Sequence, residues 1–191
     1  HIVNHPTVTY SGHMKTLASS QEITTRITEI ATAIIRDHAG TTPLFVSLLR
    51  GAAPFTSLLL FEIARQAPDF HPELDYMMVR TYGNQKTAST PHIVTDLAPS
   101  TSIQGRTVIV LDDVLDKGIT ADFVFSHLHS LGAASTHLAV LCQKDTVRER
   151  DITAAYAAFT VGDEWLIGMG MDDAETGVEA YRWLHEIRAK V

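Results

Sequence analysis

The segment Thr107–Thr120 gathers more chemistry than any other part of the chain: Val108-Ile109-Val110-Leu111 runs into Asp112-Asp113-Val114-Leu115-Asp116-Lys117-Gly118-Ile119-Thr120. An apolar run of this kind reads as a buried strand. A Gly-bearing turn that opens a helix presents unpaired backbone N–H groups and the positive end of the helix dipole, which together cradle phosphate. The carboxylates of Asp112, Asp113 and Asp116 need another partner. They can take Mg²⁺ directly or through water, or accept hydrogen bonds from vicinal ribose hydroxyls, and both choices suit a sugar phosphate. An ordinary turn with solvated acids is the alternative at this point. Other chemistries find little to work with: the ten histidines lack metal-triad spacing, no Ser-His-Asp order with an elbow motif occurs, and Cys142 is the single cysteine.

Several elements must position this segment. Ser19 or Ser20 with Glu22 forms a helix start, and Ile23, Ile27, Ile30 and Ile34 trace one face of a helix ending near Gly40. Leu44–Leu49 is a strand cut off by Arg50-Gly51, and Ala53–Arg65 is a helix. A second strand covers Leu74–Arg80. The polar stretch Thr81–Gln104 is expected to be a mobile lid, disordered without ligand. Thr107–Leu111 is the strongest strand, leading through an acidic loop to a helix that reaches about Leu131. His137–Cys142 is a further strand, with Cys142 a buried residue on it, and a helix near Glu179–Lys190 closes the chain. Strands alternating with helices predict an α/β fold with a doubly wound, mostly parallel sheet flanked by helices, its carboxyl edge covered by a small hood.

The 191 residues form one expected domain, with the hood built from the N-terminal segment and residues from about 156 to 191. Residues 1–13 precede Met14-Lys15-Thr16-Leu17, a candidate native start. A net charge of −7 with no Lys/Arg cluster argues against a nucleic-acid footprint, no run is apolar enough to span a membrane, and one cysteine suits a reducing compartment, the cytoplasm.

The Asp112–Thr120 pattern resembles the signature of the type I phosphoribosyltransferases: an apolar strand, two acids, two apolar residues, an acid, Thr, Gly, any residue and Thr. Leu49-Arg50-Gly51-Ala52 is similar to that family's pyrophosphate loop, and Thr81-Tyr82-Gly83 to the start of its flexible catalytic loop. Gln143-Lys144 resembles its purine-reading lysine, and Trp165-Leu166-Ile167-Gly168-Met169-Gly170-Met171-Asp172 a segment of its hypoxanthine-guanine branch. Order and spacing agree from about Lys15 to Arg182. The resemblance implies a purine salvage enzyme that transfers 5-phosphoribose from phosphoribosyl pyrophosphate to a 6-oxopurine with Mg²⁺, working as a homodimer or homotetramer.

It also implies roles. Asp112 and Asp113 hold the ribose hydroxyls, directly or through Mg²⁺, and Asp172 is a further metal contact with Asp173 as its competitor. Asp116 is the general base and acid for the purine ring proton. The main chain from Asp116 through Lys117, Gly118, Ile119 and Thr120, with the Thr120 hydroxyl, holds the 5′-phosphate. Lys117 departs from the family's Thr, and an ammonium cannot accept the hydrogen bond that a hydroxyl can. Arg50, with Gly51, meets the pyrophosphate, Thr81 and Tyr82 bind substrate from the start of the catalytic loop, and the Leu49–Arg50 peptide or the adjacent one just before Gly51 is a candidate cis bond. Lys144 donates to the exocyclic oxygen of the base, Trp165 stacks on it, and the Leu166 main chain reads its pyrimidine edge. Arg182, displaced by an apparent insertion after Asp172, is a pyrophosphate contact. Two other classes compete: a phosphoribosyltransferase-fold nucleotide sensor without catalysis, and a receiver-like domain using Asp112, Asp113 and Lys144.

Overall fold

The computed structural model describes residues 14–82, 90–173 and 179–190. Helix α1 (Ser20–Asp37) starts where the Ser19 hydroxyl accepts the Glu22 N–H and the Glu22 carboxylate accepts the Ser19 N–H at 2.8 Å, a reciprocal cap. Ile23, Ile27, Ile30 and Ile34 are all buried, as their spacing predicts. Helix α2 (Ala53–Gln66) buries Phe55, Leu59 and Ile63 beside them.

Six strands form the main sheet: β2 (Leu44–Leu49), β3 (Glu73–Tyr82), β4 (Thr90–Thr95), β5 (Thr107–Leu115), β6 (Ser135–Lys144) and β7 (Tyr156–Val161). Their order is β4-β3-β2-β5-β6-β7, parallel throughout except for the antiparallel edge strand β4. Alternation along the central strands feeds two cores. Phe45, Ile109 and Leu111 pack with α1 and α2, whereas Leu44, Val46, Val108 and Val110 pack with helix α3 (Ile119–Ser130) on the other face. Both faces of the sheet are therefore covered, and the central strands are apolar on both sides, as a buried parallel sheet requires. Chain order reverses between β2 and β5, and such a switch point opens a crevice at the carboxyl ends of the strands. A second sheet, β1 (Met14–Ala18), β9 (Ile187–Lys190) and β8 (Trp165–Ile167) in that spatial order, makes the hood.

The structure corrects four expectations. The acids Asp112 and Asp113 lie on β5, which stays paired with β6 as far as Leu115 opposite Gln143, so only Asp116 lies in the turn. Part of the expected lid is strand, and the loop that follows is tied to β3. β3 extends to Tyr82, β4 pairs back against it, and the Asp75 carboxylate accepts from the Ala98 N–H at 2.9 Å and the Thr101 hydroxyl at 2.5 Å to hold the return loop. The tip, residues 83–89, lies outside the described residues. Residues 156–161 are the edge strand of the main sheet rather than part of the hood. The closing helix is replaced by a 3₁₀ turn (Glu179–Trp183) followed by β9, where Ile187 and Ala189 are buried and Arg188 and Lys190 less so, the period-two pattern of a strand.

Candidate active site

The crevice between β2 and β5 receives two loops. β2 ends in Leu49-Arg50-Gly51 with a cis Leu49–Arg50 peptide, one of the two candidate bonds. Gly51 is there because space demands it: a Cβ would sit 1.8 Å from Asp113 Oδ2, and a Cβ on Gly170 would sit 1.8 Å from the Gly51 carbonyl oxygen. β5, the pyrophosphate-type loop and the hood thus touch through glycine backbones.

A cleft of about 520 Å³ lies here, lined by Arg50, Gly51, Arg80, Asp112, Asp113, Thr120, Asp172, Glu179 and Arg182 among others. Burial first, and then the neighbouring Asp113 carboxylate, push the Asp112 pKa well above the ordinary carboxylate range. Burial also raises Asp113, against the Asp112 side chain, the Val114 N–H and the Arg182 charge, which pull it down. Two acids in this condition invite a cation. Among the described residues no three His, Cys, Asp or Glu side chains converge to hold a metal by themselves. Mg²⁺ commonly takes one or two protein carboxylates and completes its shell with water and substrate phosphate, so Asp112, Asp113 and Asp172 as oxygen donors fit that manner of binding.

Arg182 is buried and fully engaged. It donates to Asp172 at 2.8 Å, to Glu179 at 2.9 Å and to the Gly170 carbonyl. It therefore shapes the floor of the cleft and fixes Asp172. Asp173, the competitor, is 1% exposed and accepts from Lys190 Nζ at 2.6 Å, a hood ion pair away from the cleft. Arg50 is mostly exposed, 4.0 Å from Glu179.

Next to the cleft, Thr81, Asp112, Asp116, Lys117, Gly118, Ile119 and Thr120 line a smaller pocket of about 220 Å³. Gly118, at φ +82°, is the N-cap of α3 and adopts a left-handed conformation that glycine accepts without strain. The first N–H groups of α3 have no partner within the helix and open on this pocket with the dipole behind them. Lys117 is exposed and its ammonium is held by Glu149 at 2.9 Å, while its carbonyl accepts the N–H groups of Glu149 and Arg150.

On the far side of β5, Asp113, Asp116, Lys144, Trp165, Leu166, Met171 and Asp172 surround a third pocket of about 250 Å³. Lys144, at the end of β6, places Nζ 3.6 Å from Asp116 and 3.4 Å from Asp163. Trp165 is half exposed at its rim rather than in the core. Asp116 lines both this pocket and the pocket at the α3 N-terminus, so one carboxylate stands between them. The main chain of Tyr82 ends β3, and its side chain lies outside the described residues.

Sequence reasoning passed over Arg80, Asp163 and Glu179, and Thr146, whose hydroxyl lies 3.5 Å from the Asp116 carboxylate. Arg80 directly precedes Thr81, Asp163 lies two residues before Trp165 and Glu179 one helical turn before Arg182, so proximity to motif residues was the available signal. The receiver-like reading is excluded by topology, since the acid pair sits on the fifth strand of the chain, beyond an antiparallel edge hairpin.

Three pockets thus surround a strand end that carries two acids. Residues 13–174 match the phosphoribosyl transferase domain, and the chain belongs to that family. It is 32% identical over 162 residues to the hypoxanthine-guanine phosphoribosyltransferase of Bacillus subtilis, covering 84% of this chain and 86% of that protein. It is 35% identical over 159 residues to the enzyme of the same name from Streptococcus thermophilus, covering 83% and 84%. A solved hypoxanthine phosphoribosyltransferase from Staphylococcus aureus superposes with a TM-score of 0.82 at 28% identity, over 93% of this chain and 91% of that one.

Proposed function

We propose that this chain transfers 5-phosphoribose from phosphoribosyl pyrophosphate to N9 of a 6-oxopurine, releasing pyrophosphate and a nucleoside monophosphate. The observation that carries the reading is the position of Asp116, shared by the pocket at the α3 N-terminus and the pocket that holds Lys144 and Trp165. A 5′-phosphate on the α3 N–H groups and the Thr120 hydroxyl leaves the ribose over Asp112 and Asp113, with the base beside Asp116. Lys144, restrained by two carboxylates, offers N–H donors suited to an exocyclic oxygen and poorly suited to an amino group. Trp165 stacks on the ring and the Leu166 main chain meets its pyrimidine edge.

Asp116 takes the ring proton as the glycosidic bond forms and returns it in the reverse direction. Arg50 and Gly51 receive the leaving pyrophosphate, Arg182 holding Asp172 in place beside it, and Thr81 borders the 5′-phosphate pocket. Asp112, Asp113 and Asp172 would offer oxygens to Mg²⁺, directly or through water, and the ion when bound would neutralise charge on the pyrophosphate. Lys117, already paired with Glu149, contributes main chain rather than charge to the phosphate pocket. The enzyme works in the cytoplasm as a homodimer or homotetramer. No described helix is long and apolar enough to cross a membrane, and apolar side chains are exposed on α2 and in the hood.

Asp116→Asn tests the central assignment. A general acid or base contributes about 10²–10⁴-fold, so kcat is expected to fall within that range while the KM for phosphoribosyl pyrophosphate stays within about threefold. An unchanged kcat removes Asp116 from the chemistry.

A further inference from the structure

β3 runs past its neighbour. β2 ends at Leu49 opposite Met78, and β3 continues through Arg80 and Thr81 to Tyr82, supported there only by β4. This overhang lies between two subsites: Arg80 lines the large cleft, and the next residue, Thr81, lines the pocket at the α3 N-terminus.

The charges in the cleft are unevenly committed. Its lining carries four carboxylates, Asp112, Asp113, Asp172 and Glu179, and three guanidiniums, Arg50, Arg80 and Arg182. Arg182 is consumed by Asp172, Glu179 and a carbonyl. Arg50 stands at the 4.0 Å edge of an ion pair with Glu179. Among the described residues Arg80 has no ion-pair or side-chain hydrogen-bond partner. A strand-end guanidinium facing a cleft with its donors free is matched to an incoming anion, and the planar fork of arginine binds phosphoryl oxygens in pairs.

We propose that Arg80 is a pyrophosphate-binding residue that works with Arg50, gripping the leaving group of phosphoribosyl pyrophosphate from the β3 side of the cleft. This rests on the phosphoribosyltransferase reading and assigns a residue to that substrate. Because Arg80 and Thr81 are adjacent, the same strand end then faces both the pyrophosphate and the 5′-phosphate of the donor, and its placement sets the distance between them.

Calorimetric titration separates the two ideas. Inorganic pyrophosphate with Mg²⁺, and separately a purine nucleoside monophosphate, are titrated into the purified wild-type protein and into Arg80→Ala and Arg80→Lys. The proposal expects pyrophosphate to bind about tenfold or more weakly to Arg80→Ala, as the loss of one charge-assisted contact predicts, with Arg80→Lys intermediate. The nucleotide, which leaves the pyrophosphate subsite empty, is expected to bind all three proteins within about twofold. Wild-type affinity for pyrophosphate in Arg80→Ala overturns the Arg80 assignment and leaves the enzymatic reading standing, as does an equal loss for both ligands. A wild-type protein that binds neither ligand overturns both.

Discussion

Asp112 and Asp113 lie side by side near the end of β5, where burial disfavours their charged forms. Burial and mutual repulsion raise the pKa of Asp112, so its charged form is disfavoured in the folded state. A group whose folded pKa lies above its unfolded one contributes stability below the unfolded value and loses it as pH rises through the folded value. In the absence of Mg²⁺ and substrate, Asp112→Asn is therefore expected to melt higher than wild type at pH 8, by a few degrees at about 2–4 °C per kcal/mol for a chain of this size. The gap should close near pH 4, where both side chains are neutral, and activity should be lost. Thermal melts across pH check this, and a variant less stable than wild type at pH 8 removes the strain argument. The acid pair, Asp116, Gly118 and Thr120 were legible because they follow one another across a single strand–turn–helix junction. The partners of Lys117 and Arg182 were not, since Glu149 lies thirty-odd residues away along the chain and the Arg182 contacts depend on how the hood folds over Gly170.

The main elements follow from local rules, and their junctions do not. Capping by Ser19 and Glu22 and the isoleucine spacing define α1 without help from the rest of the molecule. β4 escaped because its sequence, Thr90-Pro91-His92-Ile93-Val94-Thr95, is polar at both ends and half exposed, and only pairing with β3 makes it a strand. β9 was mistaken for helix because four residues are too few for a period to declare itself, and its order comes from β1 and β8 on either side. The tightest junction is Gly51, where β2, β5 and the hood meet. Gly51→Ala places a methyl 1.8 Å from the Asp113 carboxylate, so either the loop or Asp113 must move. With misplacements of about 1 Å costing on the order of 10²-fold, kcat/KM for phosphoribosyl pyrophosphate is expected to fall at least that far in this variant. Turnover at the wild-type level contradicts the close contact.

At the scale of the whole molecule, several of the exposed apolar side chains lie on α2 and in the hood. Leu58 and Phe61 stand out from α2, Phe61 at 76% exposure, and Trp183 is 66% exposed in the hood's 3₁₀ turn. Single exposed apolar residues are ordinary, but large aromatics on a helix and on the adjoining hood favour self-association. Light scattering at micromolar concentration is expected to give a dimer or tetramer, and Phe61→Glu to shift it towards monomer. A monomeric wild type contradicts this.

The account's central claim concerns reaction and base together, and a steady-state assay tests both. With phosphoribosyl pyrophosphate and Mg²⁺, pyrophosphate release is followed against hypoxanthine, guanine, xanthine, adenine, uracil and orotate, with Asp116→Asn as the control. Turnover confined to 6-oxopurines and lost in the variant is the predicted result. Turnover with adenine or a pyrimidine contradicts the role given to Lys144, and no turnover with any base, while nucleotide still binds, makes the protein a sensor rather than an enzyme.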